Sequence, residues 1–365
     1  MTDCIVIGAG LIGMLTAHEL AAAGLSVTVL EKGRPAQESS WAGGGILSPL
    51  YPWRYSDAVN RLARFSQQRY PDFCQQLLDD TGIDPQCVRS GLLITDIDDA
   101  GAVERWAQSF GADLHWASAD RAREIEPQLG IRPPRSAWLP DIAHVRNPRL
   151  VQALQVRIEQ QGVEIIPDCP VQAWQVQGGR VTAVSTPRGE FSADRYLVAS
   201  GAWSGELLKS TGLSLPIQPV RGQMLLFKGP PGLLTPITLH EGRYAITRRD
   251  GHVLFGSTLE YAGFVKQTTD EARQELTRTA FELLPVLGEL PIVHHWAGLR
   301  PGSPDGTPVI GPHPAFDNLF INAGHFRNGV VLGLASSQLA ADLLLGRTPS
   351  LDAIPYLPEK FIVVA

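Results

Sequence analysis

Gly8-Ala9-Gly10-Leu11-Ile12-Gly13 limits what this chain can fold into more than any other segment of its 365 residues. The apolar run before it, residues 4–7, reads as a strand buried on both faces of a parallel sheet. A helical pattern follows, with Leu11, Met14, Leu15 and Leu20 near one face, and Gly24 stands where a helix closes on a left-handed residue. Residues 25–30 read as a second strand, and Glu31 ends it. Strand, glycine turn, helix, strand and terminal acid together make the βαβ unit that binds dinucleotides. Gly8 permits the tight turn, Gly10 lets the backbone approach a pyrophosphate, and Gly13 lets the helix pack closely on the strand. The helix start at Leu11 and Ile12 offers free N–H donors and the positive end of a helix dipole. Glu31, 18 residues after Gly13, is placed to accept from a ribose 2′-hydroxyl and disfavours a 2′-phosphate.

The fingerprint serves NAD and FAD equally. Two further features favour FAD. No second fingerprint marks a separate nicotinamide site, and Ser39-Ser40-Trp41-Ala42-Gly43-Gly44-Gly45-Ile46 follows the second strand closely. Consecutive glycines carry no side-chain bulk and can wrap a flat ring system and its phosphates. The net charge of −6 leaves no large basic surface, which argues against a nucleic-acid partner. Cys4, Cys74, Cys87 and Cys169 lie too far apart for a zinc framework or a disulfide scaffold and read as reduced thiols. Residues 1–3 lack the basic region of a signal peptide. The longest uncharged apolar stretches, near 4–17 and 329–341, fall short of the ~20 residues that span a bilayer. A cytoplasmic protein with no membrane contact is expected.

Asn147-Pro148 opens a helix that runs to about residue 161, and Gly162 closes it. Segments 163–166 and 181–185 read as strands; Val171 between them either offers backbone groups to an adenine or is an ordinary strand residue. Another buried strand, 195–200, ends in Ser200-Gly201-Ala202, small residues suited to a chain crossing near a dinucleotide. From Pro216 the chain turns β-rich. Strands are expected at 223–228, 244–248 and 253–258, the last two joined around Arg249-Asp250-Gly251, a strong hairpin signal. A helix at 270–284, a Gly/Pro-dense loop over 296–311 around Arg300, and a strand at 319–322 follow. Gly324-His325-Phe326-Arg327-Asn328-Gly329 then leads into a helix to about 345. That helix start suits the negative charge that grows at the N1–C2=O side of a reduced isoalloxazine. The adjacent His294-His295 would point to opposite faces of a strand, so no metal site is expected there. The fold class is α/β: a Rossmann-like FAD-binding domain from 1–83, 145–215 and 296–350. Segments 84–144 and 216–295 form an inserted α+β substrate domain on a mixed or antiparallel sheet, and 351–365 form a tail.

With these motifs the chain resembles the glycine oxidase branch of the D-amino acid oxidase family of flavoproteins. The resemblance covers nearly the whole chain. It rests on the fingerprint with Glu31, the Ser39–Gly45 glycine segment, Pro219-Val-Arg-Gly-Gln-Met224, Trp296-Ala-Gly-Leu-Arg300-Pro301 and Gly324-His-Phe-Arg-Asn-Gly329. It implies non-covalent FAD under a mixed-sheet roof. The implied reaction is oxidative deamination of glycine, sarcosine or small D-amino acids by hydride transfer from Cα to flavin N5. An imine, then a 2-oxo acid, ammonia and H2O2 result, with O2 as acceptor. It further implies a role in thiamine biosynthesis, supplying an imine for the thiazole ring, and a homo-oligomer, tetramer or dimer. By position, Arg300 would pair with the substrate carboxylate, Arg327 would lie near substrate and flavin, and the Tyr244 hydroxyl would touch the substrate. Lys32, Ser39, Ser40, Gly44, Gly45, Ile46, Val171, Gly201, Gly298, His325, Phe326, Asn328, Gly329 and Val330 would join the fingerprint residues and Arg327 in holding FAD. Ile46 stands where relatives carry methionine, which bears on pocket size. No side chain is assigned as acid or base, and Arg221 and His240 read as structural. A planar guanidinium suits a carboxylate better than a lysine would. Three rival readings remain at this point: a quinone-linked D-amino acid dehydrogenase, the flavin domain of a tRNA-modifying enzyme, and a non-catalytic FAD sensor.

Overall fold

Period-two alternation along the first strand, Thr2–Ile7, sets the architecture. Cys4 and Val6 fall in one buried cluster, Ile5 and Ile7 in another, so the strand has a core on each face. In the computed structural model, which describes residues 2–362, this strand is central to a six-stranded sheet. Its order is Val309–His313, Phe316–Ala323, Ala193–Val198, Thr2–Ile7, Val27–Leu30, Glu164–Ile166. Every pairing is parallel except that of the Val309–His313 edge. Helices Leu11–Ala22, Asp57–Thr81, Asn147–Gln160 and Gly329–Leu345 cover the Cys4/Val6 face. The other face packs Val181, Val184 and Leu208, from a three-stranded antiparallel sheet and a short helix.

The second large sheet is mixed and has eight strands: Ile292–Gly302, Gln218–Lys228, His252–Gly256, Arg243–Thr247, Ile237–His240, Leu92–Ile94, Ser136–Leu139 and His115–Ala117. Only Ile237–His240 with Leu92–Ile94 is parallel within it. Along Gln218–Lys228, Leu225 and Phe227 pack against helix Asp270–Leu283, while Met224 faces the opposite way beside Tyr244 and Ile246. The α/β class with a Rossmann-like unit and a mixed second sheet is thus the observed one.

Two expectations change. The loop expected over 296–311 is, in its first part, the end of strand Ile292–Gly302, paired through Arg300↔Val220 and Pro301↔Pro219. An edge strand tolerates proline because its outer N–H row needs no partner. The helix Phe326–Leu345, counted with its opening turn, has 20 residues and is apolar enough to cross a membrane, contrary to the shorter stretch expected. Two-thirds of it is buried here, against Leu11–Ala22 and Asp57–Thr81; a helix apolar all round is what a domain core demands. The long helix Asp57–Thr81 is absent from the sequence expectations. Pro71 lies inside it, but Ser56 caps its start and Gly82 its end. Within 351–362 Tyr356 is buried and donates to the Ala58 carbonyl at 2.9 Å. Met1 and the last part of the expected tail, 363–365, lie outside the described residues.

Candidate active site

A cavity of about 570 Å³ runs from the carboxyl ends of the parallel strands to the inner face of the mixed sheet. At its first end Gly8 has a φ of +112°, and a Cβ there would sit 2.6 Å from the Ala199 carbonyl oxygen. Gly8, Gly10, Leu11 and Ile12 line the cavity; Gly13 does not. A Cβ on Gly13 would overlap the Gly8 carbonyl, so its place is the close packing of helix on turn. The Leu11 N–H is not free: Ser40 Oγ accepts it at 2.8 Å. Glu31 is buried and accepts from the Ala9 N–H (2.8 Å) and the Gly33 N–H (3.1 Å). Burial pushes its carboxyl above the usual value, and those two donors pull it back. Lys32 places its ammonium 2.9 Å from the centre of the Trp203 ring and pairs with Glu38 at 3.7 Å. Val171 and Gly201 complete this end.

The glycine cluster forms the middle, with Ser39, Gly44, Gly45 and Ile46 all on the wall. A Cβ on Gly44 would lie 2.8 Å from Tyr244 Cε2, and one on Gly45 would overlap the Val145 carbonyl, so both positions need a bare backbone. Behind them lies Arg248, 4% exposed, which sequence reasoning missed. It donates to the Gly44 carbonyl (2.7 Å), the Val145 carbonyl (2.9 Å) and His144 Nδ1 (2.9 Å). An arginine heading Arg-Arg-Asp-Gly at a hairpin reads as solvated, so only the fold reveals this role. Burial lowers Arg248 to about 10 and, with the cation beside it, His144 to about 3, leaving arginine charged and histidine neutral at pH 7. Gly298, on the neighbouring edge strand, abuts Ala42, where a Cβ would come within 2.6 Å.

At the far end, residues distant in sequence converge. Arg300 donates to Ser257 Oγ at 2.5 Å and the Thr258 carbonyl at 3.2 Å, and it lines the cavity. Burial and the nearby Arg327 pull it down to about 10, still cationic at neutral pH. Arg327 Nη2 donates to the Gly242 carbonyl at 3.4 Å. Tyr244 is buried, its hydroxyl 3.5 Å from Met224 Sδ. Ile46, Leu50 and Met224 supply apolar wall; the last two were not among the expected site residues. His325 is held by Ser336 Oγ at 2.9 Å, and burial pushes it to about 3, so it is neutral. Phe326, Gly329 and Val330 bring the amino end of the helix Gly329–Leu345 to the wall, while Asn328 is buried just outside the lining. Arg221, paired with Glu260, and His240, bonded to Thr95 Oγ1 at 2.9 Å, stand away from the lining.

The sequence model of the FAD dependent oxidoreductase family DAO matches residues 3–343. The chain belongs to the DAO family. FAD is accordingly its cofactor, and the wall fits it: a glycine turn at a helix start, a carboxylate beyond it, and bare backbone at Gly44, Gly45 and Gly298, where close protein neighbours exclude any side chain. This DAO-family chain is 51% identical over 355 residues to a glycine oxidase of Pseudomonas aeruginosa, covering 97% of this chain and 98% of that one. It is 33% identical to a bifunctional ThiO/ThiG protein of Synechocystis, over 99% of this chain and 54% of the longer relative. Its fold matches the crystal structure of glycine oxidase from Geobacillus kaustophilus with a TM-score of 0.94, at 28% identity and 99% coverage of both chains.

Proposed function

We propose that the chain is an amino acid oxidase of the glycine oxidase type. Its substrates would be glycine, sarcosine and small D-amino acids, converted with O2 and water to a 2-oxo acid, an amine or ammonia, and H2O2. The likeness to curated glycine oxidases along almost the full chain supports this reading. The observation that carries it is the Arg300 guanidinium, fixed by Ser257 and Thr258 and turned into a cavity with an apolar wall. FAD, when bound, supplies the two-electron oxidation of the substrate and passes the electrons to O2.

The chain's own residues do the rest. Arg300 takes the carboxylate as a rigid fork, and its charge is worth most where water is excluded. Tyr244 directs its hydroxyl to the same end, and Arg327 adds a second positive charge there. Ile46, Leu50 and Met224 exclude water and bound the space beside Cα. Among the described residues, the lining of this end carries no carboxylate, and the His325 ring is engaged by Ser336, so the substrate amine sheds its proton to solvent before oxidation. Gly8, Gly10, Leu11, Ile12, Glu31 and the glycine cluster are assigned to FAD, with Lys32, Ser39, Ser40, Val171, Gly201, Gly298 and the stretch His325–Val330. The same reading gives a cytoplasmic homo-oligomer, dimer or tetramer, that supplies an imine for thiazole formation in thiamine biosynthesis.

The test is anaerobic. Glycine, sarcosine and D-alanine are added separately to the flavin-loaded protein, and loss of flavin absorbance is followed. Bleaching by at least one, with H2O2 formed on admitting air, is expected. No bleaching by any of them sinks the proposal, and bleaching that needs a quinone for turnover would favour the dehydrogenase.

A further inference from the structure

Tyr51 does not line the cavity, yet its placement is specific. It is buried and holds left-handed backbone angles (φ 54°), which a bulky residue keeps only where its surroundings impose them. Its hydroxyl lies 2.8 and 2.7 Å from the two carboxylate oxygens of Asp96 and accepts the Gly242 N–H at 2.8 Å. Three separate elements meet at this oxygen. They are the loop after the glycine cluster, the residue pair Thr95-Asp96 beyond strand Leu92–Ile94, and the turn between Ile237–His240 and Arg243–Thr247. That turn is Glu241-Gly242, with φ of 46° and 73°, the two-residue kind that matches strand twist. Thr95 fastens its base through His240 Nδ1 at 2.9 Å and the Leu239 carbonyl at 3.0 Å. Gly242 therefore works in two directions: its N–H is held by Tyr51, and its carbonyl receives Arg327. Tyr244 follows two residues later, its ring against Gly44.

We infer that Tyr51 and Asp96 are positioning residues, a hydroxyl–carboxylate latch that fixes the Glu241-Gly242 turn and through it aims Arg327 and Tyr244 at the substrate. The inference rests on the proposed amine-oxidising role of this cavity. A latch of this kind sets how tightly a small carboxylate is held and leaves the coenzyme end untouched, since neither residue reaches it.

Tyr51→Phe keeps the ring, its edge contact with Trp53 at 5.8 Å and its place under the Arg54 guanidinium at 3.9 Å, and removes only the oxygen. In the FAD-loaded protein without substrate, hydrogen exchange at the Gly242 amide is expected to quicken about tenfold, the worth of one lost hydrogen bond. In the loaded enzyme, the KM for glycine should rise roughly fivefold to tenfold with kcat within about twofold and FAD affinity unchanged. Asp96→Asn should move KM the same way. Wild-type Gly242 exchange and wild-type KM in both variants would overturn the latch. So would a joint fall of kcat, FAD affinity and melting temperature, which marks a merely structural pair. If the unmodified enzyme bleaches with no amine while Tyr51→Phe still frees Gly242, the substrate reading has failed and the latch has not.

Discussion

The two ends of the cavity are built by different means. At the end proposed for the coenzyme, Gly8, Gly10, Gly13 and Glu31 come from one 24-residue stretch, and much of the fit is backbone meeting backbone. At the end proposed for the substrate, Ile46, Met224, Tyr244, Arg300 and Arg327 come from separate elements, and side chains make the fit. Local sequence therefore dictates the first end, whereas the second exists only once both sheets have formed. One consequence is that changes at the first end should break the holoenzyme, while changes at the second should retune it.

The sharpest break is Gly13→Ala. Its Cβ would strike the Gly8 carbonyl, so FAD affinity should fall roughly a hundredfold, measured by flavin fluorescence. Between the ends, Arg248→Met strands two carbonyls and a histidine nitrogen and should cost about 2–4 kcal/mol in urea unfolding, with weaker FAD retention. Two of the buried histidines, His144 in the middle and His325 at the far end, test the fold by pH. Each is held near 3 when folded but takes a proton near 6.5 when unfolded, so the unfolded chain binds more protons across that window. Stability should fall as pH drops from about 6.5, by roughly 2–3 kcal/mol per histidine at pH 4.5, and His144→Gln should lessen the loss in melting temperature. Arg300→Ala should weaken substrate binding by about 1.5–3 kcal/mol while FAD affinity stays put; an unchanged KM would remove Arg300 from the substrate. The smallest effect belongs to Ile46→Met, which should shift preference between glycine and D-alanine by roughly threefold or less in kcat/KM.

The same contrast explains what could be read in advance. The βαβ unit, the helix at 147–161 and the hairpin around Gly251 follow from local signals, and each stands where expected. Arg300, Arg327 and Tyr244 were placed by resemblance; nothing in their local patterns brings them to one cavity. Arg248 and the Tyr51–Asp96 pair escaped notice because their partners lie 45 to 204 residues away. From Trp296 on, strand Ile292–Gly302 reads as loop in the sequence because glycine and proline are breakers, whereas an edge position and close neighbours admit them.

Diagonal to Arg300 on the neighbouring strand stands Gly222, and the guanidinium lies directly on its bare backbone, in the space a Cβ would need. How far the anchor reaches is thus governed by a position that contributes no atoms beyond the main chain. Any larger residue at 222 would displace the cation, and on the proposed reading of Arg300 the enzyme's appetite would be reset from a position that has no side chain of its own.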